Sequence, residues 1–152
     1  DFADNGKIAV ILGDNIFADA KEIKAGVEKF KKQKNGSMVF LKNVEDPQRF
    51  GVAQVNKGNI VSIEEKPKKP KSKLAVTGMY LYDGRVFDSI RALKPSRRGE
   101  LEITDVNNDY IKKGQMTYHT LATEWVDAGT FDSLLRANIF AAKLHGISDT
   151  QL

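Results

Sequence analysis

Ile8-Ala9-Val10-Ile11-Leu12, followed at once by Gly13-Asp14-Asn15, is the stretch on which the fold turns. Five consecutive apolar residues, two of them isoleucine and one valine, are the signature of a strand buried on both faces. The Gly-Asp-Asn trio then ends it in a turn. Asp19 is placed to cap a helix from about Ala20 to Lys34, with Ile23, Val27 and Phe30 on one face and Asn35-Gly36 as its stop. Met38 to Val44 reads as the next strand. Strand, helix, strand is the opening of a parallel α/β sheet.

Further along, the pattern becomes richer in strands. Phe50 to Val55 and Ile60 to Ile63 flank Asn56-Lys57-Gly58-Asn59, a hairpin turn. Ala75 to Tyr82 is another strand, interrupted by Gly78. Arg85 to Leu93 is a short helix ended by Pro95, and Thr104 is placed to cap a helix reaching Lys113. Met116 to Ala122 is a strand of mixed polarity. Thr130 is placed to cap a last helix from Phe131 to about His145, with Leu134, Leu135, Ile139 and Phe140 as its apolar residues. One α/β domain with a mixed β-sheet flanked by helices accounts for residues 1–152.

The bulk properties narrow the class. The chain has 152 residues, 41% hydrophobic and 29% charged, ordinary values for a globular domain with a sizeable core. It has no cysteine, which excludes disulfides and thiolate metal sites and fits a cytoplasmic location. No apolar run approaches membrane-spanning length. The formal net charge is +4, with much of the excess in Lys66-Pro67-Lys68-Lys69-Pro70-Lys71-Ser72-Lys73. Two prolines make this an extended solvated loop, and no aromatic residue is interleaved for base stacking, so nucleic acid is not the expected partner.

Four places carry groups suited to chemistry. Asp14 follows an apolar strand, where ligands bind in open α/β sheets, although an Asx turn uses the same residue. Asp127 lies in Trp125-Val126-Asp127-Ala128-Gly129-Thr130 between strand and helix. Two carboxylates at strand ends suit magnesium, whose octahedron is completed by phosphate oxygens and waters. Glu64-Glu65-Lys66-Pro67 ends a strand with two acids and a base: an ion-pair cluster, or a phosphate-neutralising lysine beside a sugar-binding glutamate. Arg97-Arg98-Gly99-Glu100 precedes an acidic helix entry, and guanidinium forks suit phosphate oxygens. His119 and His145 are too few and too separated for a zinc site, and there is no Walker loop, dinucleotide fingerprint or nucleophile elbow.

Taken in order, these segments resemble the sugar-1-phosphate nucleotidyltransferases, glucose-1-phosphate thymidylyltransferase type. Residues 11–17 resemble that family's "LGDNIF" turn and Arg49-Phe50-Gly51-Val52 its "RYGV". Residues 64–67 match "EEKP" and residues 75–80 resemble "AVTGLY". Residues 98–105 match "RGELEITD" and residues 125–130 resemble "WLDTGT". The resemblance implies a Rossmann-like nucleotidyltransferase fold and transfer of a nucleotidyl group from dTTP to glucose 1-phosphate, with Mg2+ as cofactor. It implies Asp14 and Asp127 as metal ligands, Lys66 and Arg98 as the catalytic phosphate-neutralising cations, and Glu65 as acceptor for sugar hydroxyls. It implies close approach at Gly51, and Val76 and Tyr80 as pocket walls. A UTP-dependent relative, or a non-catalytic sugar-phosphate-binding or oligomerising piece, are the alternatives. The family's "GGxGTRLxPxT" segment, which holds the triphosphate, does not occur in these 152 residues. The expectation is therefore a truncated nucleotidyltransferase domain, weakly active or inactive alone, with an unpaired sheet edge through which it self-associates.

Overall fold

The computed structural model describes residues 3–96, 99–144 and 146. Its centre is a six-stranded mixed sheet. The strands are β1 (Ile8–Ile11), β3 (Ser37–Asn43), β4 (Gly51–Asn56), β5 (Asn59–Glu65), β6 (Leu74–Tyr82) and β7 (Met116–Thr120). Five of them run in the order β5-β4-β6-β3-β7, and β1 pairs with β6 beside that path. A separate two-stranded ribbon joins β2 (Asn15–Phe17) to β8 (Trp125–Asp127). The helices are α1 (Ala20–Lys31), α2 (Val86–Arg91), α3 (Ile103–Lys112) and α4 (Phe131–Leu144).

The doubly buried strands are β3 and β6, not β1. Along β3, Met38 and Phe40 face one core while Val39 and Leu41 face the other, and all four are fully buried. One core adds Tyr80, Tyr82, Val106 and Tyr110, covered by α2 and α3; the other adds Phe30, Met79 and Leu81, covered by α1. β1 has the most continuous aliphatic run, yet Val10, Ile11 and Leu12 are 36%, 58% and 46% exposed. Its backbone pairs only with β6 among the described residues, and of its residues Ile8 alone packs against a buried core cluster. The expectation of burial on both faces is corrected accordingly. The expected β-α-β unit is present in split form, with β1 and β3 parallel to each other but not neighbours. β1 and β3 both run antiparallel to β6, which lies between them, and the directly paired parallel strands are β3 and β7.

Local chemistry explains the element ends. Asp19 caps α1, its carboxylate accepting from Lys21 N at 2.7 Å. The helix stops at Lys31, three residues before the expected end. There the Lys7 ammonium donates to the carbonyls of Phe30, Lys31 and Gln33 at 3.2, 2.9 and 2.5 Å. A cation at a helix C-terminus satisfies orphan carbonyls and complements the dipole. Lys57 (φ 47°) and Gly58 (φ 78°) form the left-handed pair of a type I′ hairpin joining β4 to β5. Thr104 is not the cap of α3: Glu102 holds that place, and Thr104 lies inside the helix, 5% exposed. Thr130 does cap α4, its hydroxyl accepting from Ser133 N at 3.2 Å. That helix buries Ser133, Ala137 and Ala142; of its expected apolar residues Ile139 and Phe140 are half-buried, whereas Leu134 and Leu135 are exposed. Small residues allow close seating on β8 and the loop after it.

Asp83 organises the far end of β6. Its carboxylate accepts from Gly36 N at 2.6 Å, from the Tyr110 hydroxyl at 2.8 Å and from Arg85 Nη2 at 2.5 Å. Burial raises its pKa, but the hydrogen bonds from Arg85, Gly36 and Tyr110 outweigh that and hold it below the ordinary 3.8. A depressed carboxyl stabilises the fold above its unfolded pKa, and the contribution is lost as pH falls through the folded value. Asp83→Asn should therefore cost about 1–3 kcal/mol at neutral pH. Urea titrations should also show the variant losing less stability than the parent as pH falls below 3.8.

Candidate functional site

Residues of β4, β5, β6, α3 and the ribbon line an open cavity of about 500 Å3. The face of β6 that carries Val76, Gly78 and Tyr80, alternate residues on one side of a strand, forms its floor. Gly51 and Glu65 face each other across β4 and β5 at one wall. Asp14 and Asp127 come from the ribbon opposite. Seven of the eight site residues expected from sequence thus line one cavity: Asp14, Gly51, Glu65, Lys66, Val76, Tyr80 and Asp127. The eighth, Arg98, lies outside the described residues.

The ribbon explains how the two aspartates meet. Asn15 is in register with Asp127, and Ala128 N donates to Asp14 O at 2.7 Å. Asp127 Oδ1 and Asp14 Oδ2 lie 3.1 and 3.2 Å from the point that a Cβ on Gly129 would occupy. The absent side chain at Gly129 leaves the gap toward which both carboxylates turn. Two convergent carboxylates bordering an open cavity suit a hard divalent cation that keeps waters and phosphate oxygens as its other ligands. Among the described residues no group of three or more His, Cys, Asp or Glu forms a fuller metal cage.

In the sequence Asn15 reads as one member of a turn; in the structure it is the hub of the site. It is 9% exposed. Its Oδ1 accepts from Gly78 N at 2.8 Å and from Trp125 Nε1 at 2.7 Å, while Nδ2 donates to Asp14 Oδ1 at 2.9 Å. One amide therefore joins the large sheet, the ribbon and the Asp14 carboxylate. Trp125 packs edge-to-face on Phe50, ring centroids 5.1 Å apart, behind the same wall.

Electrostatics confirm the crowding of acids. Burial, with the charges of Glu65, Asp127 and Asp14, pushes the Tyr80 hydroxyl up to about 12. Tyr80 thus stays a neutral donor among three carboxylates. Glu65 and Lys66 are consecutive yet both line the cavity, against the alternation of a strand. Lys66 has φ 42°, the left-handed region, and its N–H donates to Phe50 O at 3.0 Å, so the chain turns there and redirects the lysine. In the same basic loop Lys73 is held by Glu45 at 2.7 Å on the surface.

A curled mixed sheet whose cavity is lined by acids, a lysine and a tyrosine defines an α/β domain with a polar cavity. A family model described as nucleotidyl transferase matches residues 1–143, and the chain belongs to that family. Over its whole length it is 39% identical to the glucose-1-phosphate thymidylyltransferase of Neisseria meningitidis serogroup A / serotype 4A, of which it covers 54%. Over 92% of its length it is 45% identical to the enzyme of that name from Mycolicibacterium smegmatis, covering 49% of it. The crystal structure of a candidate glucose-1-phosphate thymidylyltransferase from Bacillus anthracis, in complex with a sucrose, superposes with a TM-score of 0.85. It is 56% identical over 92% of this chain and 56% of that one. The chain spans about half the length of the curated relatives it matches.

A methyl group tests the hub. On Gly78 a Cβ would lie 2.5 Å from Asn15 Nδ2 and 2.6 Å from its Cγ, so Gly78→Ala must displace that side chain. Overpacking of this kind costs about 1–3 kcal/mol. The variant should melt lower, and the fluorescence of Trp125, the sole tryptophan, should change as its indole loses Asn15.

Proposed function

We propose that the chain forms the sugar-phosphate side of a glucose-1-phosphate thymidylyltransferase site. The observation that carries this is the gathering of Asp14, Glu65, Lys66 and Asp127, distant in sequence, around one cavity. In the reaction an oxygen of glucose 1-phosphate attacks the α-phosphorus of dTTP. The bond from that phosphorus to the bridging oxygen breaks, and pyrophosphate leaves with the electron pair. Such a transfer depends on positioning and charge neutralisation rather than on a covalent intermediate.

Each residue has a part in that reading. Lys66 supplies a point charge to the phosphate of the sugar, and Arg98 a second by family resemblance. Glu65 accepts hydrogen bonds from sugar hydroxyls. Gly51 admits the sugar close to the backbone of β4, and Val76 and Tyr80 bound it. Asp14 and Asp127 hold magnesium, which when bound offsets the negative charge shared by the two phosphates. The relatives' names support glucose 1-phosphate as sugar substrate and thymidylate as the transferred group. A cytoplasmic site of action belongs to the same reading. No helix among the described residues is long and apolar enough to cross a membrane.

Calorimetric titration with glucose 1-phosphate tests the phosphate role. Lys66→Ala should weaken binding about tenfold or more, the worth of a charge-assisted contact. Lys69→Ala, in the same loop but not lining the cavity, should leave it unchanged. In a protein carrying the relatives' full length, loss of Lys66 should lower turnover by about 10²–10³. The 152 residues alone should form little or no dTDP-glucose. Equal small effects at Lys66 and Lys69 would remove Lys66 from the site.

The exposed aliphatic strand β1 belongs to this proposal too. Its outer edge has no pairing partner among the described residues, and such an edge is a template for another chain. The 152-residue chain should self-associate in sedimentation velocity, with the weight-average mass rising with concentration. A constant monomer mass across that range argues against pairing through β1.

A further inference from the structure

Two side chains of α3 reach β5, and their spacing is matched to it. Asn108 Oδ1 accepts from Ile63 N at 3.0 Å while its Nδ2 donates to Ile63 O at 2.8 Å. β5 ends the sheet, so this amide gives Ile63 the two hydrogen bonds that a further strand would have made. One turn earlier the Thr104 hydroxyl donates to Glu65 Oε2 at 2.6 Å. Four residues of helix advance about 6 Å, and two residues of strand about 6.6 Å. Helix and strand therefore run antiparallel in register, with Asn108 on Ile63 and Thr104 on Glu65.

The contact at Glu65 is buried and close. Thr104 is 5% exposed, and its distance to the carboxylate is in the charge-assisted range. Glu65 Oε2 and Thr104 Oγ1 lie 3.4 and 3.5 Å from where a Cβ on Gly51 would sit, so the pair borders Gly51 at van der Waals distance. Both residues line the cavity.

We propose that Thr104 is a positioning residue for sugar recognition, acting through Glu65, and that the Asn108 clamp on Ile63 sets the register that makes the contact. This rests on the reading that Glu65 accepts sugar hydroxyls. A carboxylate fixed by a buried donor has its remaining acceptor directions set before the sugar arrives, so less ordering is left to binding. It also discriminates among sugar phosphates by the orientation of their hydroxyls, because a misplaced hydroxyl leaves polar groups unpaired.

Thr104→Val removes the hydroxyl at nearly constant volume, and Thr104→Ser keeps it. Binding of glucose 1-phosphate to the 152-residue chain should fall about tenfold in Thr104→Val and return in Thr104→Ser. Binding of inorganic phosphate should be unchanged in both. Glu65→Gln combined with Thr104→Val should bind no more weakly than Glu65→Gln alone, since the two act as one unit. Additive losses, or parent-like affinity in Thr104→Val beside a weakened Glu65→Gln, overturn the proposal. Independent of ligand, the carboxyl ¹³C resonance of Glu65 should shift in Thr104→Val and in Asn108→Ala and stay near the parent position in Thr104→Ser. An unmoved resonance in Thr104→Val overturns the proposal even if the parent binds no glucose 1-phosphate, a result that would count against the function reading separately.

Discussion

The side-chain amide of Asn15 is the joint on which the site hangs. Both lone-pair directions of its oxygen are used, by Gly78 of the large sheet and Trp125 of the ribbon, and its nitrogen holds Asp14. The placement of Asp14 and Asp127 follows from this amide and the β2–β8 register. A buried donor deprived of its partner costs about 1–3 kcal/mol, and here two donors would lose theirs together. Gly78 is the complement: the space a Cβ would need is filled by Asn15.

Local order around this joint comes at some cost in stability. Asp14, Glu65 and Asp127 all raise the pKa of Tyr80, which means three like charges stand around one phenol. Asn107, 1% exposed, accepts from the Tyr82 hydroxyl through Oδ1 at 2.6 Å, while its Nδ2 has no hydrogen-bond partner among the described residues. Such features are rare in cores and concentrate where ligands bind. The remainder of the fold offsets them through strands such as β3, whose side chains are buried on both faces, at roughly 1.5–3 kcal/mol for each large apolar side chain. Any cation or sugar phosphate that binds only the folded chain stabilises it further by mass action.

The sequence was most legible where one local rule decides. The Asp19 cap, the Lys57-Gly58 hairpin and the Thr130 cap each depend on a few neighbouring residues, and each is where the pattern puts it. Long-range pairing was least legible. Residues 8–12 and 38–41 are both apolar runs, and only the partners on either side decide which is buried. The antiparallel place of β6 between β1 and β3 leaves no local trace. Thr104 reads as a helix cap because caps and buried hydroxyl donors use the same residue type. The β2–β8 ribbon is three residues a side, too short for periodicity, so the meeting of Asp14 and Asp127 rested on resemblance. Asn15 stood beside Asp14 in that motif, and only its neighbours in space give it its role.

Glu65 and Lys66 show why the end of β5 has its unusual backbone. A strand that continued past Glu65 would turn Lys66 to the opposite face, away from the cavity. The left-handed φ of Lys66 breaks the alternation, and Pro67 behind it stops the strand from resuming. Glycine adopts that conformation freely but has no ammonium; lysine accepts a cost of about 1–2 kcal/mol to put a charge there. The neighbouring residues then meet opposite demands. Glu65 is half-buried and held by Thr104, which suits the reading of hydroxyl positions. Lys66 is exposed on a flexible stem, which suits following a phosphate as its charge moves. Under the proposed function, a held acceptor at Glu65 and an exposed cation at Lys66, the latter on left-handed backbone, separate recognition of the sugar from neutralisation of its phosphate within two consecutive positions.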